Sequence, residues 1–261
     1  MLVGETGPVQ TITKRRVDAP ERFFEAEAAG LEWLAAAGGA PTARVAGVGP
    51  GWIELERIPE VRPDRASARE FGTALARTHA AGASAFGAPP DGWSGPLFIG
   101  RRPMAAAAET SWGRFYARDR VLAFLPIAEG AGNVSPAEAE IVRRAAAVVA
   151  SGAFDDGDPP ARLHGDLWNG NVLWSAEGVV LIDPAAHGGH RETDLAMLHL
   201  FGCPFLAEVL DGYERELPLR AGWRDRVPLH QLHPLAVHAA GHGRSYGVAL
   251  ADAAEAVLAL D

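Results

Sequence analysis

Three polar residues with a fixed spacing form a set that can perform chemistry. Asp166 precedes Asn171 by five residues, and Asp183 ends the apolar stretch that follows. A carboxylate can accept the proton of an attacking hydroxyl, and carboxylate and amide oxygens are the hard ligands that Mg²⁺ prefers. Phosphoryl transfer requires the protein mainly to position groups and neutralise charge. The spacing therefore predicts a phosphotransferase site.

Two short apolar strands, predicted at 172–174 and 179–182, hold these residues at a fixed separation. We interpret Asp166 as the general base, and Asn171 and Asp183 as the magnesium ligands. Either half of the pattern alone also fits an ordinary turn. Both halves together, in order and correctly spaced, favour the catalytic interpretation.

Lys14 is the only lysine of the chain, in which the other basic residues are arginines. It ends a predicted strand at 9–14, and a helix predicted to begin at Pro20 carries Glu27 near its apolar face. Because a half-buried carboxylate needs a partner, we predict that Lys14 pairs with Glu27 and grips the α- and β-phosphates of a nucleotide. Glu25 is the alternative partner, and two unrelated surface charges are the simpler interpretation.

Two further strands are predicted at 43–48 and 51–58 around a Gly-Pro-Gly turn. The exit of the second strand, with Glu56 and Ile58, is predicted to be a hinge whose backbone groups bind adenine. Any strand exit would show a similar pattern. From about residue 65 the chain is predicted to be mainly helical, with one helix at 112–127 and another that follows a capping box at Ser135.

Several residues are predicted to support the site rather than react. Asp194 stands at a helix start and is expected to brace the loop that holds His164. Residues 85–102 form a predicted loop in which Trp93 either meets the substrate or pins the loop. His187 and His190 suggest zinc only weakly, because no cysteine or carboxylate stands at metal-binding spacing.

Composition excludes several classes of protein. The chain has 261 residues and a net charge of −9, which argues against a surface that binds nucleic acid. No apolar run reaches the length of about 18 residues that spans a bilayer, and no signal-peptide pattern is present. Cys203 is the only cysteine, so an internal disulfide is excluded. These features predict a cytoplasmic protein without a membrane partner.

The sequence resembles the fructosamine kinase (ketosamine-3-kinase) family of the aminoglycoside phosphotransferase branch. The resemblance lies in Leu-His-Gly-Asp-Leu-Trp-Asn-Gly-Asn at 163–171, Arg-Glu-Thr-Asp-Leu-Ala-Met at 191–197 and Phe-Glu-Ala-Glu-Ala-Ala-Gly-Leu at 24–31. It covers nearly the whole chain. One departure is His-Gly-Gly-His at 187–190, where the family more often has a tyrosine-Gly-Asp approach to Arg191.

This resemblance implies an α+β, protein-kinase-like fold with two lobes. Residues 1–60 would form the N-lobe, a small antiparallel sheet plus one helix, and residues 61–261 a larger, mostly helical C-lobe. It also implies ATP- and Mg²⁺-dependent phosphorylation of the 3-hydroxyl of fructosamines and related ketosamines, whose unstable products shed the amine. Trp168 would face the sugar. The oligomeric state stays open.

Two other functions fit the same residues. The alternatives to a ketosamine kinase are a kinase of the aminoglycoside phosphotransferase type for another hydroxyl substrate, and an inactive pseudokinase that binds nucleotide. Only 13 residues precede Lys14, too few for the strand, glycine-rich flap and strand expected there, which need about 25–30 residues. We therefore expect a sheet that lacks one strand, an open nucleotide cleft, weak ATP binding, and an in-frame upstream extension that supplies the flap.

Overall fold

The computed structural model describes residues 10–260. Its first part is a three-stranded antiparallel sheet with one helix on a face, and the strand order is β1-β3-β2. These elements are β1 (Thr11–Arg15), α1 (Phe23–Ala35), β2 (Val45–Gly49) and β3 (Trp52–Glu56). The turn predicted at residues 4–7 lies outside the described residues, so the expectation of a missing strand and flap stays a prediction.

The helix α1 covers the sheet through an apolar layer. Phe24 and Leu31 of α1 are buried together with Ile53 and Leu55 of β3. Burial of such side chains contributes about 1.5–3 kcal/mol each. In β1, Lys14 lies opposite Ile53 and Thr11 opposite Glu56. Because directly opposite residues share a face, the register places Lys14 on the side of the sheet that α1 covers.

The second part of the chain is mainly helical, with short two-stranded sheets between the helices. Its helices are α2 (Arg65–Ala80), α3 (Trp112–Phe115), α4 (Leu125–Gly130), α5 (Pro136–Ala150), α6 (Glu192–Phe201), α7 (Leu206–Glu216), α8 (Val227–Ala239) and α9 (Arg244–Leu258). Its strands are β4 (Leu97–Ile99), β5 (Arg102–Met104), β6 (Ala161–Leu163), β7 (Val172–Ser175), β8 (Gly178–Leu181) and β9 (His187–Gly189). No described element crosses residue 60, although the exact lobe boundary stays a prediction.

The predicted helix at 112–127 is interrupted. It consists of α3, a π-helical turn at Tyr116–Val121 and α4, which begins with Pro126 in its first turn. Residues 122–124 form a turn between the two parts, and Pro126 lies in the first turn of the new helix, where its missing N–H costs no hydrogen bond. The loop predicted at 85–102 is also more ordered than expected, because its second half contributes to the β4–β5 hairpin.

The helices α2 and α7 approach so closely that their backbones are in contact. A Cβ atom at Gly72 would lie 1.8 Å from the Val209 carbonyl oxygen, and one at Gly212 would lie 2.0 Å from the Arg69 carbonyl oxygen. Only glycine fits at either position. The contact brings His79 of α2 within 2.7 Å of the Tyr213 hydroxyl of α7.

The sheet and the helical part are joined through β8. The Ala43 N–H donates to the Leu181 carbonyl oxygen at 2.9 Å, and the Leu181 N–H donates to the Pro41 carbonyl oxygen at 2.8 Å. The segment between α1 and β2 is therefore held against the β7–β8 hairpin. Within residues 10–260, no helix is long and apolar enough to cross a membrane.

Candidate active site

The loop between β6 and β7 holds His164, Asp166 and Asn171 against the segment that begins at Asp183. Gly165 has a φ of 79°, and a Cβ atom there would lie 2.3 Å from the Ala185 carbonyl oxygen. Glycine is therefore required both for the left-handed backbone and for the close approach. This contact brings the two acids of the sequence pattern to the same place.

His164 fixes the backbone of the loop from within the core. Its ring Nδ1 accepts the Asp166 N–H at 3.3 Å, so its Nε2 carries the proton and donates to the Ile182 carbonyl oxygen at 2.9 Å. Burial lowers the pKa of His164, which keeps the ring neutral. The ring thus connects the two acid-bearing segments without a charge of its own.

Asp194 braces the same loop from the first turn of α6. Its carboxylate accepts the His164 N–H at 2.8 Å and the Gly165 N–H at 3.0 Å, and lies 3.2 Å from His79 Nε2. Burial opposes ionisation of Asp194, but the hydrogen bond from His79 and the nearby positive partial charges outweigh it and lower the pKa of this carboxyl. The α2–α7 contact therefore reaches the loop through Tyr213, His79 and Asp194.

Asp166, Asn171 and Asp183 converge. The Asn171 Nδ2 donates to the Asp166 carbonyl oxygen at 2.8 Å and lies 3.3 Å from Asp166 Oδ2 and 3.5 Å from the Asp183 carbonyl oxygen. Burial raises the pKa of Asp166 to about 7. Asp183 has a φ of 54°, a left-handed conformation that is uncommon outside glycine and is found at functional sites.

Lys14 connects the sheet to these acids. Its ammonium lies 2.8 Å from Glu27 Oε1 of α1 and also contacts the Asp183 carboxylate. Glu25, the alternative partner, makes no ion pair with Lys14 among the described residues. The helix can approach closely because Gly30 leaves room for Pro184 and Ala186, which would lie 3.2 Å and 3.1 Å from a Cβ atom there.

These side chains line one cavity of about 450 Å³. Its wall includes Lys14, Glu27, Asp166, Asn171 and Asp183, together with the aromatic side chains of Phe23, Phe98 and Trp168. Trp168 is 42% exposed, and its ring meets Phe201 edge-on, with centroids 6.4 Å apart. The cavity thus combines a polar end with an apolar wall, which is the usual composition of a small-molecule site.

Comparison with known proteins identifies the family. A family model described as fructosamine kinase matches residues 9–259. The chain belongs to this family. A probable ketoamine kinase from Enterococcus faecium is 34% identical over 226 residues, which cover 86% of this chain and 79% of the relative.

Solved structures agree with this assignment. A crystal structure from Thermobifida fusca, named provisionally as a fructosamine-3-kinase, is 44% identical and has a TM-score of 0.90 over 97% of this chain and 86% of that chain. A choline kinase from Streptococcus pneumoniae has a TM-score of 0.64 at 19% identity, over 98% of this chain and 89% of its own. The latter likeness shows the fold alone and confirms the predicted protein-kinase-like architecture. Membership of the fructosamine kinase family makes the chain an ATP-dependent kinase.

The predicted hinge of this fructosamine kinase family member lies apart from the cavity. Glu56 is the last residue of β3 and Ile58 follows two residues later, and neither lines the cavity wall. Glu56 lies opposite Thr11, three residues from the Lys14–Ile53 pair, which corresponds to about 10 Å along the strand. The structure thus does not bring the hinge and the acids together, and the adenine-binding assignment stays a prediction.

The three residues whose roles were open lie outside the cavity wall. The Trp93 ring packs under the Arg22 guanidinium at 4.2 Å and its Nε1 donates to the Pro96 carbonyl oxygen, so it pins its loop. His187 donates from Nδ1 to the Ala185 carbonyl oxygen at 2.8 Å. Burial lowers the pKa of His187 to about 3.

His190 belongs to a buried cluster that has the donor atoms of a metal site. Its ring nitrogens lie close to Glu192 and His230. However, Arg226 already binds both carboxylate oxygens of Glu192, at 2.6 Å and 3.1 Å. An arginine at the carboxylate opposes a second cation there, so the cluster is a structural ion pair.

Among the cavity residues that sequence reasoning did not assign to a site, three have side chains that shape its apolar wall and its far end. Phe23 and Phe98 line its apolar wall, and Arg16 lies at its far end. The aromatic residues gave no signal, because their spacing fits a core position equally well. The sequence did contain a weak signal for Arg16. It stands two residues after Lys14, and side chains at that spacing in an extended chain share a face.

Proposed function

We propose that this protein transfers the γ-phosphoryl group of ATP to the 3-hydroxyl of a fructosamine or related ketosamine. The observation that carries the proposal is the convergence of Asp166, Asn171, Asp183 and the Lys14–Glu27 pair on one cavity, with the half-exposed Trp168 in its wall. The family assignment supports the substrate class, and the choice of the 3-hydroxyl rests on the sequence resemblance.

Asp166 is the proposed general base. As the acceptor oxygen forms its bond to the γ-phosphorus, the bond from that phosphorus to the β-phosphate oxygen breaks, and the hydroxyl proton passes to the Asp166 carboxylate. A pKa of about 7 suits this role, because a base is most effective when its pKa lies near the working pH. Asn171 holds the Asp166 backbone and carboxylate in place.

Lys14, positioned by Glu27, is the proposed contact for the α- and β-phosphates. The Asn171 amide oxygen and the Asp183 carboxylate are hard donors that fit magnesium, which would neutralise phosphate charge when bound. Trp168 offers a flat apolar face that suits a sugar ring. His164 and Asp194 act through the loop backbone rather than on the substrate.

The 3-phosphorylated ketosamine is expected to be unstable and to release its amine. The proposed activity therefore repairs glycated amines. Fructosamine and ribulosamine acceptors, whether free or attached to protein, are equally compatible with the polar and aromatic side chains of the cavity.

The direct test is ATP turnover with fructoselysine and ribuloselysine, with and without Mg²⁺, beside choline and an aminoglycoside as acceptors. We expect ADP formation with a ketosamine and with Mg²⁺ only. An Asp183→Asn variant should lose Mg²⁺-dependent nucleotide binding. Turnover restricted to choline or the aminoglycoside, or nucleotide binding with no turnover for any acceptor, would refute the proposal.

A further inference from the structure

The cavity extends from the acids to a second cationic group, Arg16. At this end its wall is formed by Arg16, Phe23 and Phe98. The rings of Phe23 and Phe98 meet edge-on, with centroids 5.3 Å apart. One end of the cavity therefore contains the acids, where phosphoryl transfer is proposed. The other end contains Arg16, which follows Lys14 by two residues.

Arg16 occupies the position that follows Lys14 on the same face. The Arg16 N–H donates to the Gly51 carbonyl oxygen at 3.0 Å, so the extended backbone continues past β1. Lys14 meets the carboxylate of Glu27 on α1. Arg16 meets the Phe23 ring one helical turn earlier, with the guanidinium carbon 5.2 Å from the ring centroid. One cation thus has a carboxylate partner, whereas the other has a phenyl ring.

Arg16 retains a hydrogen-bond donor that the protein does not use. Its Nη1 is buried and has no hydrogen-bond partner within the described part of the chain. The neighbouring acid Asp18 is paired with Arg101. A buried donor without an acceptor is unfavourable, and a guanidinium presents its donors as a rigid fork that matches a carboxylate.

Glu25 is a second acid close to Arg16. It borders a separate outer cleft that Arg16 also lines, and its Oε2 is likewise buried without a partner. No ion pair joins the two side chains among residues 10–260, and Glu25 does not line the cavity itself. On the cavity side, the charge of Arg16 is therefore not matched by an acid.

We propose that Arg16 binds a carboxylate of the acceptor, so that the preferred substrates are ketosamines of amino acids with a free carboxyl group. This inference rests on the proposed function. Arg16 stands about 7 Å beyond Lys14 along the chain, on the side of Phe23 and Phe98. The sugar hydroxyl would lie at Asp166 while the amino-acid part follows the aromatic wall to Arg16.

The test compares acceptors that differ only in charge. The probes are the fructose adducts of glycine and of γ-aminobutyrate, each beside its carboxamide. For at least one pair, we expect the wild-type kcat/KM of the acid to exceed that of the amide by about 10–100-fold, the usual effect of a charge-assisted hydrogen bond. In Arg16→Gln this ratio should fall to about one, and Arg16→Lys should give an intermediate value.

Arg143→Gln provides the matched control, since it removes one positive charge from a surface pair with Glu129 outside the cavity. It should keep the wild-type ratio. Because each ratio compares two acceptors on the same protein, general damage to folding cancels. Equal rates for acids and amides in the wild type, or an Arg16→Gln variant that keeps the ratio while its KM for ATP rises, would overturn the inference alone. A wild type that phosphorylates no ketosamine would overturn the proposed function as well.

Discussion

Asp166 is the residue on which the proposed chemistry depends most. Replacement by asparagine keeps the shape and the contact with Asn171 but removes the proton acceptor. We expect Asp166→Asn to lower kcat by about 10²–10⁴, the usual contribution of a general base. Steady-state kinetics with saturating ATP and ketosamine measures this. Near-wild-type turnover in a folded variant would remove Asp166 from the role of base.

The pKa of Asp166 also predicts opposite effects of pH on activity and on stability. Burial raises this pKa to about 7 from an ordinary 3.8, so the carboxylate form increases with pH and kcat/KM should rise between about pH 6 and pH 8. The folded state binds this proton more tightly than the unfolded state, so its stabilising effect is present at low pH and is lost as the pH rises through about 7.

Asparagine cannot ionise, so Asp166→Asn does not lose that stabilisation. The melting temperature of the variant relative to wild type should therefore increase from about pH 6 to pH 8. Thermal melts at both values test this without any substrate. A difference that stays constant with pH would show that Asp166 does not titrate in this range.

Substitution of Trp168 distinguishes between a side chain that contacts substrate and one that packs in the core. It is 42% exposed, whereas Trp174 on β7 is 5% exposed and belongs to the core. We expect Trp168→Ala to raise the KM for the sugar acceptor much more than that for ATP, with a small change in melting temperature. Trp174→Ala is the control, and should cost about 3–5 kcal/mol of stability. A large melting decrease in Trp168→Ala with unchanged KM values would assign Trp168 to the core.

At this scale the sequence predicted the polar end of the cavity well, because its residues are linked by short, fixed spacings. It also predicted the bracing of the loop by Asp194. It could not predict the left-handed backbone of Asp183, or that Nη1 of Arg16 has no hydrogen-bond partner within residues 10–260. Both depend on packing between segments that are distant in the chain.

The helix pair α2–α7 is the element with the least tolerance for change. A methyl group at Gly72 would overlap the Val209 carbonyl oxygen, and the two helices would have to separate. We expect Gly72→Ala to destabilise the protein by about 1–3 kcal/mol, the typical cost of overpacking. Urea unfolding measures this change.

Gly130→Ala is the matched control, because nothing lies within 4 Å of a Cβ atom there. It lies at the end of α4, where alanine is favoured over glycine by up to about 1 kcal/mol. If separation of α2 and α7 also loosens the His79–Tyr213 contact, Gly72→Ala should lower kcat as well. Equal stability of the two variants would contradict the close-contact argument.

Element types were easier to predict than their limits. The capping box at Ser135 is confirmed at the start of α5, because its signal is local to four residues. The single helix predicted at 112–127 was wrong, because its apolar spacing continues through the π-helical turn and masks the break at residues 122–124. The β4–β5 hairpin was missed, because a three-residue strand is too short to show alternation.

For the whole molecule, the proposed site depends on contact between the sheet and the helical part. The Ala43 N–H donates to the Leu181 carbonyl oxygen and the Leu181 N–H donates to the Pro41 carbonyl oxygen, which fixes the first part of the chain against β8. Lys14, paired with Glu27, contacts Asp183 across the cavity. The sequence could indicate this architecture only through family resemblance. Its own periodicity specifies separate elements, not the way in which they meet.

The ion pairing of Lys14 has a consequence for the protein's own exposure to reducing sugars. Sugars glycate lysine side chains, and this chain offers one lysine, whose ammonium is held by Glu27 and Asp183 and is 30% exposed. An enzyme proposed to work among glycated amines thus presents almost no lysine target itself. After prolonged incubation with ribose, peptide mapping should find no lysine adduct except at Lys14, and any such adduct should accompany loss of ATP turnover. Unchanged turnover in protein that carries a Lys14 adduct would show that this lysine is not required for the reaction.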